Sequence, residues 1–148
     1  MASENKAIAR RLYDEVLNKR RVELVDELMS PSHAMHSNHI PDSCIGPEAY
    51  KREVARFVTG FPDLRFIVED MVADSDKVAV LWTISGTHKG EFRGISPTGN
   101  KVTIEGITIH QIADGKIMDS YISVDYLGLM QQLGVAPAFG PPRSASAG

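Results

Sequence analysis

Val102-Thr103-Ile104-Glu105-Gly106-Ile107-Thr108-Ile109-His110-Gln111-Ile112 is the stretch on which the fold turns. It is rich in β-branched residues and long for so small a chain, which predicts an extended strand. Side chains alternate along a strand, so Val102, Ile104, Gly106, Thr108 and His110 share one face. Working outward, Phe66-Ile67-Val68 and Val78-Ala79-Val80-Leu81-Trp82-Thr83-Ile84 upstream have the same character, and so does Ile117 to Val124 downstream. The turn signals Asp74-Ser75-Asp76, Pro97-Thr98-Gly99-Asn100 and Ala113-Asp114-Gly115 separate them. Four consecutive strands predict an antiparallel sheet. Long antiparallel strands twist and coil, so a sheet of this length curls toward a half-barrel whose concave side can hold a ligand.

Before Arg65 the period is helical. Ile8, Leu12 and Val16 recur every four residues beside Tyr13 and Leu17, which predicts an amphipathic helix over Glu4 to Lys19 capped by Ser3. A shorter helix follows over Val22 to Met29 and stops at Ser30-Pro31. Ser32 to Ile45 reads as a polar connector carrying His33, His36, His39 and Pro41. Gly46-Pro47-Glu48 opens a third helix that runs to about Val58, with Pro in its first turn and Gly60 at its end. Tyr126 to Leu133 forms a last short helix, capped by Asp125 and stopped by Gly134. Residues 1–134 therefore make one domain, and 135–148 a flexible tail of Pro, Ala, Ser and Gly. Helices first and strands later is an α+β order, with the helices gathered on one face of the sheet.

Composition sets outer bounds. The 148 residues, 43% hydrophobic and 24% charged, suit a single domain with a core of ordinary depth. Sixteen Lys plus Arg against nineteen Asp plus Glu give a formal charge of −3, so neither nucleic acid nor an anionic membrane surface is an expected partner. The single cysteine, Cys44, cannot form an internal disulfide, and it has no basic neighbour in sequence to activate it. The polar start Met1-Ala2-Ser3-Glu4-Asn5-Lys6 lacks the apolar stretch of a secretory signal, and no segment approaches the roughly 20 apolar residues that span a bilayer. A soluble, cytoplasmic protein is expected.

Several motifs resemble the SnoaL-like polyketide cyclases. They are Asp76-Lys77-Val78-Ala79-Val80 through Trp82-Thr83, Gly86-Thr87-His88-Lys89-Gly90-Glu91-Phe92 and Gly94-Ile95-Ser96-Pro97-Thr98-Gly99. Ala113-Asp114-Gly115-Lys116-Ile117, Asp125-Tyr126-Leu127-Gly128-Leu129 and Gln132-Leu133-Gly134 extend the likeness. With Gly46-Pro47-Glu48 and Phe61-Pro62-Asp63-Leu64, it covers roughly residues 5–134. The resemblance implies the nuclear transport factor 2-like cone: a curved antiparallel sheet with N-terminal helices packed on its concave face, a pocket between them, and a homodimer. It also implies ring closure by proton transfer on a hydrophobic polyketide, with no metal or bound cofactor. Laid on this chain, the family's acid/base aspartate falls on Ile122, its strand histidine on Thr108, its helix tyrosine on Leu17 and its helix asparagine on Glu53. An isoleucine cannot move a proton. The related epoxide-opening members use an Asp-Arg-Asp set, and neither long strand here offers an interior arginine.

A different acid/base set is therefore sought. Glu53 lies at the border of the apolar stripe Ala49, Tyr50, Val54 and Phe57; it either enters the pocket or reaches solvent beside Arg52 or Arg56. His110 shares the inward face of its strand, and imidazole is the usual proton shuttle near neutral pH, although a rim position by the Asp114-Gly115 turn fits it as well. His36 is the connector histidine most similar to a family pocket position. Glu53, His110 and His36 are the catalytic candidates, with Leu17, Phe57, Trp82, Thr108, Ser120 and Ile122 lining the substrate. Trp82 can equally fill the core or an interface. Met118, Ser120, Ile122 and Val124 are expected on one inward face of the last strand, with Ser120 its hydrogen-bonding group. The His33, His36 and His39 spacing invites zinc, but three-residue spacing unites ligands on a helix and not in an irregular connector. Two readings stand: a cofactor-independent cyclase or isomerase acting on a polyketide- or terpenoid-like small molecule, and a non-catalytic carrier or binding protein with the same pocket.

Overall fold

In the computed structural model, which describes residues 2–38 and 44–137, the helical and extended runs fall largely where their periods place them. Helix α1 (Ala2–Arg11) starts one residue before Ser3, so Ser3 lies inside the helix and is not its cap. It continues directly into a π-helical stretch, Leu12–Asn18, which buries Leu12, Tyr13, Val16 and Leu17 on one side. The second helix is shorter than its pattern: a 3-10 turn, Val22–Leu24, precedes α2 (Val25–Leu28).

The polar connector is the main correction. Met29–Ser37 is a strand, β1, and Cys44–Ile45 is a short strand, β2, antiparallel to it. Serine, proline and histidine give β1 little strand propensity of its own, so its pairing is imposed by its neighbour and by burial of alternate side chains. His39 and Pro41, expected in that connector, lie outside the described residues. Helix α3 (Pro47–Gly60) opens with its proline at the first turn. Next come β3 (Arg65–Asp74), β4 (Lys77–Thr87), β5 (Lys101–Ala113) and β6 (Lys116–Val124), then α4 (Tyr126–Gln132). The Asp125 carboxylate accepts from the Gly128 amide at 2.9 Å, as a helix cap does. Most of the expected tail, residues 138–148, is outside the described residues.

One curved, unclosed sheet has the order β2-β1-β6-β5-β4-β3. The four later strands pair antiparallel through consecutive hairpins, while β1 runs parallel to β6. The β5–β6 hairpin is closed by Asp114 at φ 52° and Gly115 at φ 75°, the paired left-handed positions that a two-residue turn needs. A register shift between Gln111 and Ile112 inserts an extra residue in β6. In consequence Ile117 and Ser120 both face inward, and Met118 does not share the inward face of Ser120.

β5 alternates as expected, burying Val102, Ile104, Gly106, Thr108, His110 and Ile112. These pack with Val78, Val80, Trp82 and Ile84 of β4 against the π-helical stretch and α3, and the core sits between the sheet and this helical layer. Among the described residues, no helix is long and apolar enough to cross a membrane.

Candidate functional site

Where the helices roof the concave side, the core does not close completely. A cavity of about 90 Å³, taken as space open to the centre of a water molecule, remains between the π-helical stretch, α3 and strands β1 and β3 to β6. Its walls are mostly apolar. Tyr13, Tyr50, Phe57, Phe66 and Trp82 give it an aromatic lining, and Leu17, Met35, Val54, Leu64, Ile84, Ile122 and Val124 fill the gaps between rings. Tyr13, Tyr50, Glu53, Thr108, His110 and Ser120 bring polar groups to its lining.

Four of these elements converge in a buried chain of hydrogen bonds. The Ser120 hydroxyl bridges two imidazoles, 2.8 Å from His110 Nδ1 and 2.9 Å from His33 Nε2. The other nitrogen of His110 lies 3.0 Å from the Tyr13 hydroxyl. Burial pushes His110 down to about 3, with the neighbouring His33 adding to the effect. Burial likewise pushes His33 down to about 4, against the pull of Asp119. Both imidazoles are thus neutral at physiological pH. Burial pushes the Tyr13 hydroxyl in the opposite direction, above its ordinary range, so it keeps its proton. Beside this chain, the Trp82 indole N–H donates to the Thr108 hydroxyl at 2.9 Å.

Glu53 projects from α3 on the roof side and is buried. Its two carboxylate oxygens are held by different guanidinium groups: one by Arg56 of the same helix, the other by Arg93 from the β4–β5 connection at 2.7 Å. Of the two alternatives read from the sequence, the structure takes the first: Glu53 lines the cavity and pairs with Arg56 without reaching solvent.

The expected site residues separate cleanly. Glu53, His110, Leu17, Phe57, Trp82, Thr108, Ser120 and Ile122 all line the cavity. His36 does not. Strand alternation turns His33 and Met35 inward and His36 outward, where its ring stacks on Tyr121 at 4.5 Å and its Nε2 lies 3.3 Å from Asp119. His33 and His36 accordingly do not converge, since they face opposite sides of β1, and His39 lies outside the described residues. Among the described residues, no group of three or more His, Cys, Asp or Glu is placed to hold a metal.

Three participants lie beyond sequence reasoning: Arg93, which meets Glu53 from a distant connection, His33 and Tyr13. His33 falls in a segment with no local extended signal, and only the alternation of β1 turns it inward. Tyr13 was visible as a residue of the apolar helix face, but nothing in sequence announced its hydroxyl as the partner of a histidine ninety-seven positions away.

A family model described as SnoaL-like polyketide cyclase matches residues 7–133 of this chain. The aklanonic acid methyl ester cyclase AcmA of Streptomyces galilaeus is 29% identical over 133 residues, covering 89% of this chain and 92% of its own length. The nogalonic acid methyl ester cyclase of Streptomyces nogalater is 26% identical over 118 residues, covering 79% and 88% respectively. Among solved structures, a protein from Jannaschia sp. CCS1 described as a SnoaL-like polyketide cyclase superposes with a TM-score of 0.84 at 25% identity, covering 92% of this chain and 95% of that one.

Proposed function

The chain belongs to the SnoaL-like polyketide cyclase family, and from that premise we propose that it is a cofactor-independent cyclase or isomerase moving a proton on a hydrophobic, polyketide- or terpenoid-like carbonyl compound held in the cavity. The observation that carries this reading is the buried chain His33, Ser120, His110, Tyr13, which ends at an otherwise apolar hollow. It supplies polar chemistry where the family's aspartate position, Ile122, has none.

The direction of the chain follows from its far end. His33 Nδ1 is buried and makes no hydrogen bond. If it carried the proton it would be an orphaned N–H, which native interiors avoid more strongly than an unmet lone pair. The proton therefore sits on His33 Nε2, which donates to Ser120; Ser120 donates to His110 Nδ1, and His110 Nε2–H donates to the Tyr13 oxygen. Tyr13 keeps its own O–H, with the Thr108 hydroxyl as a neighbour, to donate to a ligand oxygen when one is bound. His110 acts through Tyr13, fixing its orientation, and Tyr13 is the group that meets a ligand oxygen.

Glu53 stands as the base. Each of its oxygens accepts from one arginine and keeps further acceptor capacity. In an aldol-type closure, Glu53 takes the proton α to a carbonyl, and the enolate oxygen accepts from Tyr13. The enolate carbon then bonds to a second carbonyl carbon, whose oxygen recovers the proton from Glu53. Apolar walls hold the reacting carbons together, which supplies much of the rate by proximity.

The test uses a substrate recovered by affinity capture of metabolites on the protein and identified by mass spectrometry. Turnover is compared in wild type, Glu53→Gln, His110→Ala and Tyr13→Phe. Loss of the base is expected to lower kcat by about 10² to 10⁴, and loss of the donor by about 10² to 10³. Unchanged turnover in Glu53→Gln and His110→Ala overturns the assignment. Ile122 favours the second reading, a carrier that has shed the family's acid/base residue, and saturable binding without turnover by the wild type would select it.

The same reading includes a homodimer formed through the outer face of the sheet. Leu81, Ile107, Ile109 and Tyr121 are exposed there, with Leu81 opposite Ile107 and Ile109 opposite Tyr121, so the apolar side chains are contiguous.

A further inference from the structure

We propose that Arg93 is a positioning residue of this site: a strained turn holds its guanidinium where it keeps the Glu53 carboxylate in the cavity and stops it from following Arg56 to the surface. The inference rests on the reading that Glu53 is the base, and it adds what aims that base.

The turn comes first. Phe92 and Ile95 exchange backbone hydrogen bonds at 3.0 and 2.9 Å, closing a two-residue turn on Arg93 and Gly94. Both central residues have positive φ, 47° at Arg93 and 83° at Gly94. Such turns favour Asn, Asp or Gly, because a larger side chain crowds the backbone in the left-handed region. An arginine is a costly choice where asparagine or glycine would close the same turn. Strain of this kind persists only when the surrounding structure enforces it, and it collects at functional sites.

The surroundings enforce it here. Phe92 is buried, with its ring 5.0 Å from that of Phe57 and 5.4 Å from that of Phe61. Gly60, at the end of α3, lets it approach: a Cβ there would stand 2.8 Å from that of Phe92. The Lys89 and Gly90 amides donate to the Gly60 carbonyl at 3.0 and 3.2 Å, and the Glu91 carboxylate accepts from the Gly94 amide. The turn is thereby docked on α3, the helix that carries Glu53.

The two arginines are not equivalent. Arg56 stands one turn along the same helix with its side chain 54% exposed, and a pair at this spacing forms as readily with both groups in solvent. By itself it gives Glu53 no reason to stay inside. Arg93 reaches over from the docked turn, its side chain only 25% exposed, and holds the other carboxylate oxygen at 2.7 Å. Its attachment lies outside α3, so it fixes the carboxylate from a second direction.

The experiment has one arm without substrate and one with it. In side-chain NMR of the full chain carrying isotope-labelled arginine, the Arg93 guanidinium is assigned by the signal lost in Arg93→Gly. Separate, slowly rotating N–H signals are expected for it in wild type, and a single averaged signal in Glu53→Gln. An averaged Arg93 signal in wild type overturns the clamp. With the substrate recovered by metabolite capture, Arg93→Gly is expected to lower kcat by about 10²-fold, the scale of a misplacement of about 1 Å, with KM unchanged. Millimolar guanidinium is expected to restore at least tenfold of that loss. Arg93→Lys, which keeps a charge on the same turn, is expected to retain at least tenfold more kcat than Arg93→Gly. Arg52→Ala removes an exposed arginine of the same helix and is expected to change nothing; an equal loss there means a general effect of positive charge and overturns the inference. Full activity in Arg93→Gly with Glu53→Gln inactive overturns the inference and leaves the base assigned, whereas full activity in both overturns the reading beneath it as well. A loss in Arg93→Gly that neither guanidinium nor lysine relieves assigns the turn a purely structural role and overturns positioning.

Discussion

His33 and His110 reach the same serine from two strands, and both are held neutral by burial. This makes the folded state sensitive to acid in a defined direction. The unfolded chain takes up protons at each histidine below the ordinary value of 6.5, whereas the folded chain resists until about 4 at His33 and about 3 at His110. The contribution is complete above pH 6.5 and is lost as the pH falls toward those two values. By about pH 5 the loss is about 2 kcal/mol per histidine. Urea unfolding at neutral pH and at about pH 5 should show this drop, and His110→Asn should remove about half of it. An identical drop in the variant would contradict the assignment. Strand period put His110 on the face shared with Thr108, without deciding between the pocket and the rim by the Asp114-Gly115 turn. His33 had no such guide, because the serines, Pro31 and neighbouring histidines of its segment give no local extended signal.

At the scale of elements, the long strands and the capped helix were fixed by local chemistry. Asp125 precedes an apolar run and caps it through the Gly128 amide, so Asp125→Ala is expected to cost about 1 kcal/mol. A shift in the thermal midpoint with an unchanged fold would register it; an unchanged midpoint would mean that packing of Leu129 and Leu133 holds α4 without its cap. β1 is the opposite case. It exists because β6 offers a parallel edge and because the interior takes Met29, His33 and Met35, and neither condition can be read from residues 29–37 alone. The bulge in β6 is similar: alternation along the strand predicts Met118 inward, and the extra residue at the hairpin reverses that parity.

For the whole molecule, the two faces of the sheet divide the work. The concave face and its roof make the cavity; the outer face exposes Ile107 at 49%, Ile109 at 41% and Tyr121 at 50%. If a second copy covers this face, Ile107→Glu combined with Ile109→Glu should convert a dimer to a monomer in sedimentation velocity while circular dichroism stays unchanged. A monomeric wild type at micromolar concentration would discard the dimer. Local patterning was enough for the α+β order, the long strands, the family likeness and the shared faces of Thr108 with His110 and of Ser120 with Ile122, because each depends on periods and turns within a few residues. Tertiary structure alone decided that Tyr13, His33 and Arg93 join His110, Ser120 and Glu53, and that His36 stays outside. Those outcomes depend on side chains far apart in the chain meeting in one buried place, and local patterning fixes which face a residue takes without fixing what stands opposite it.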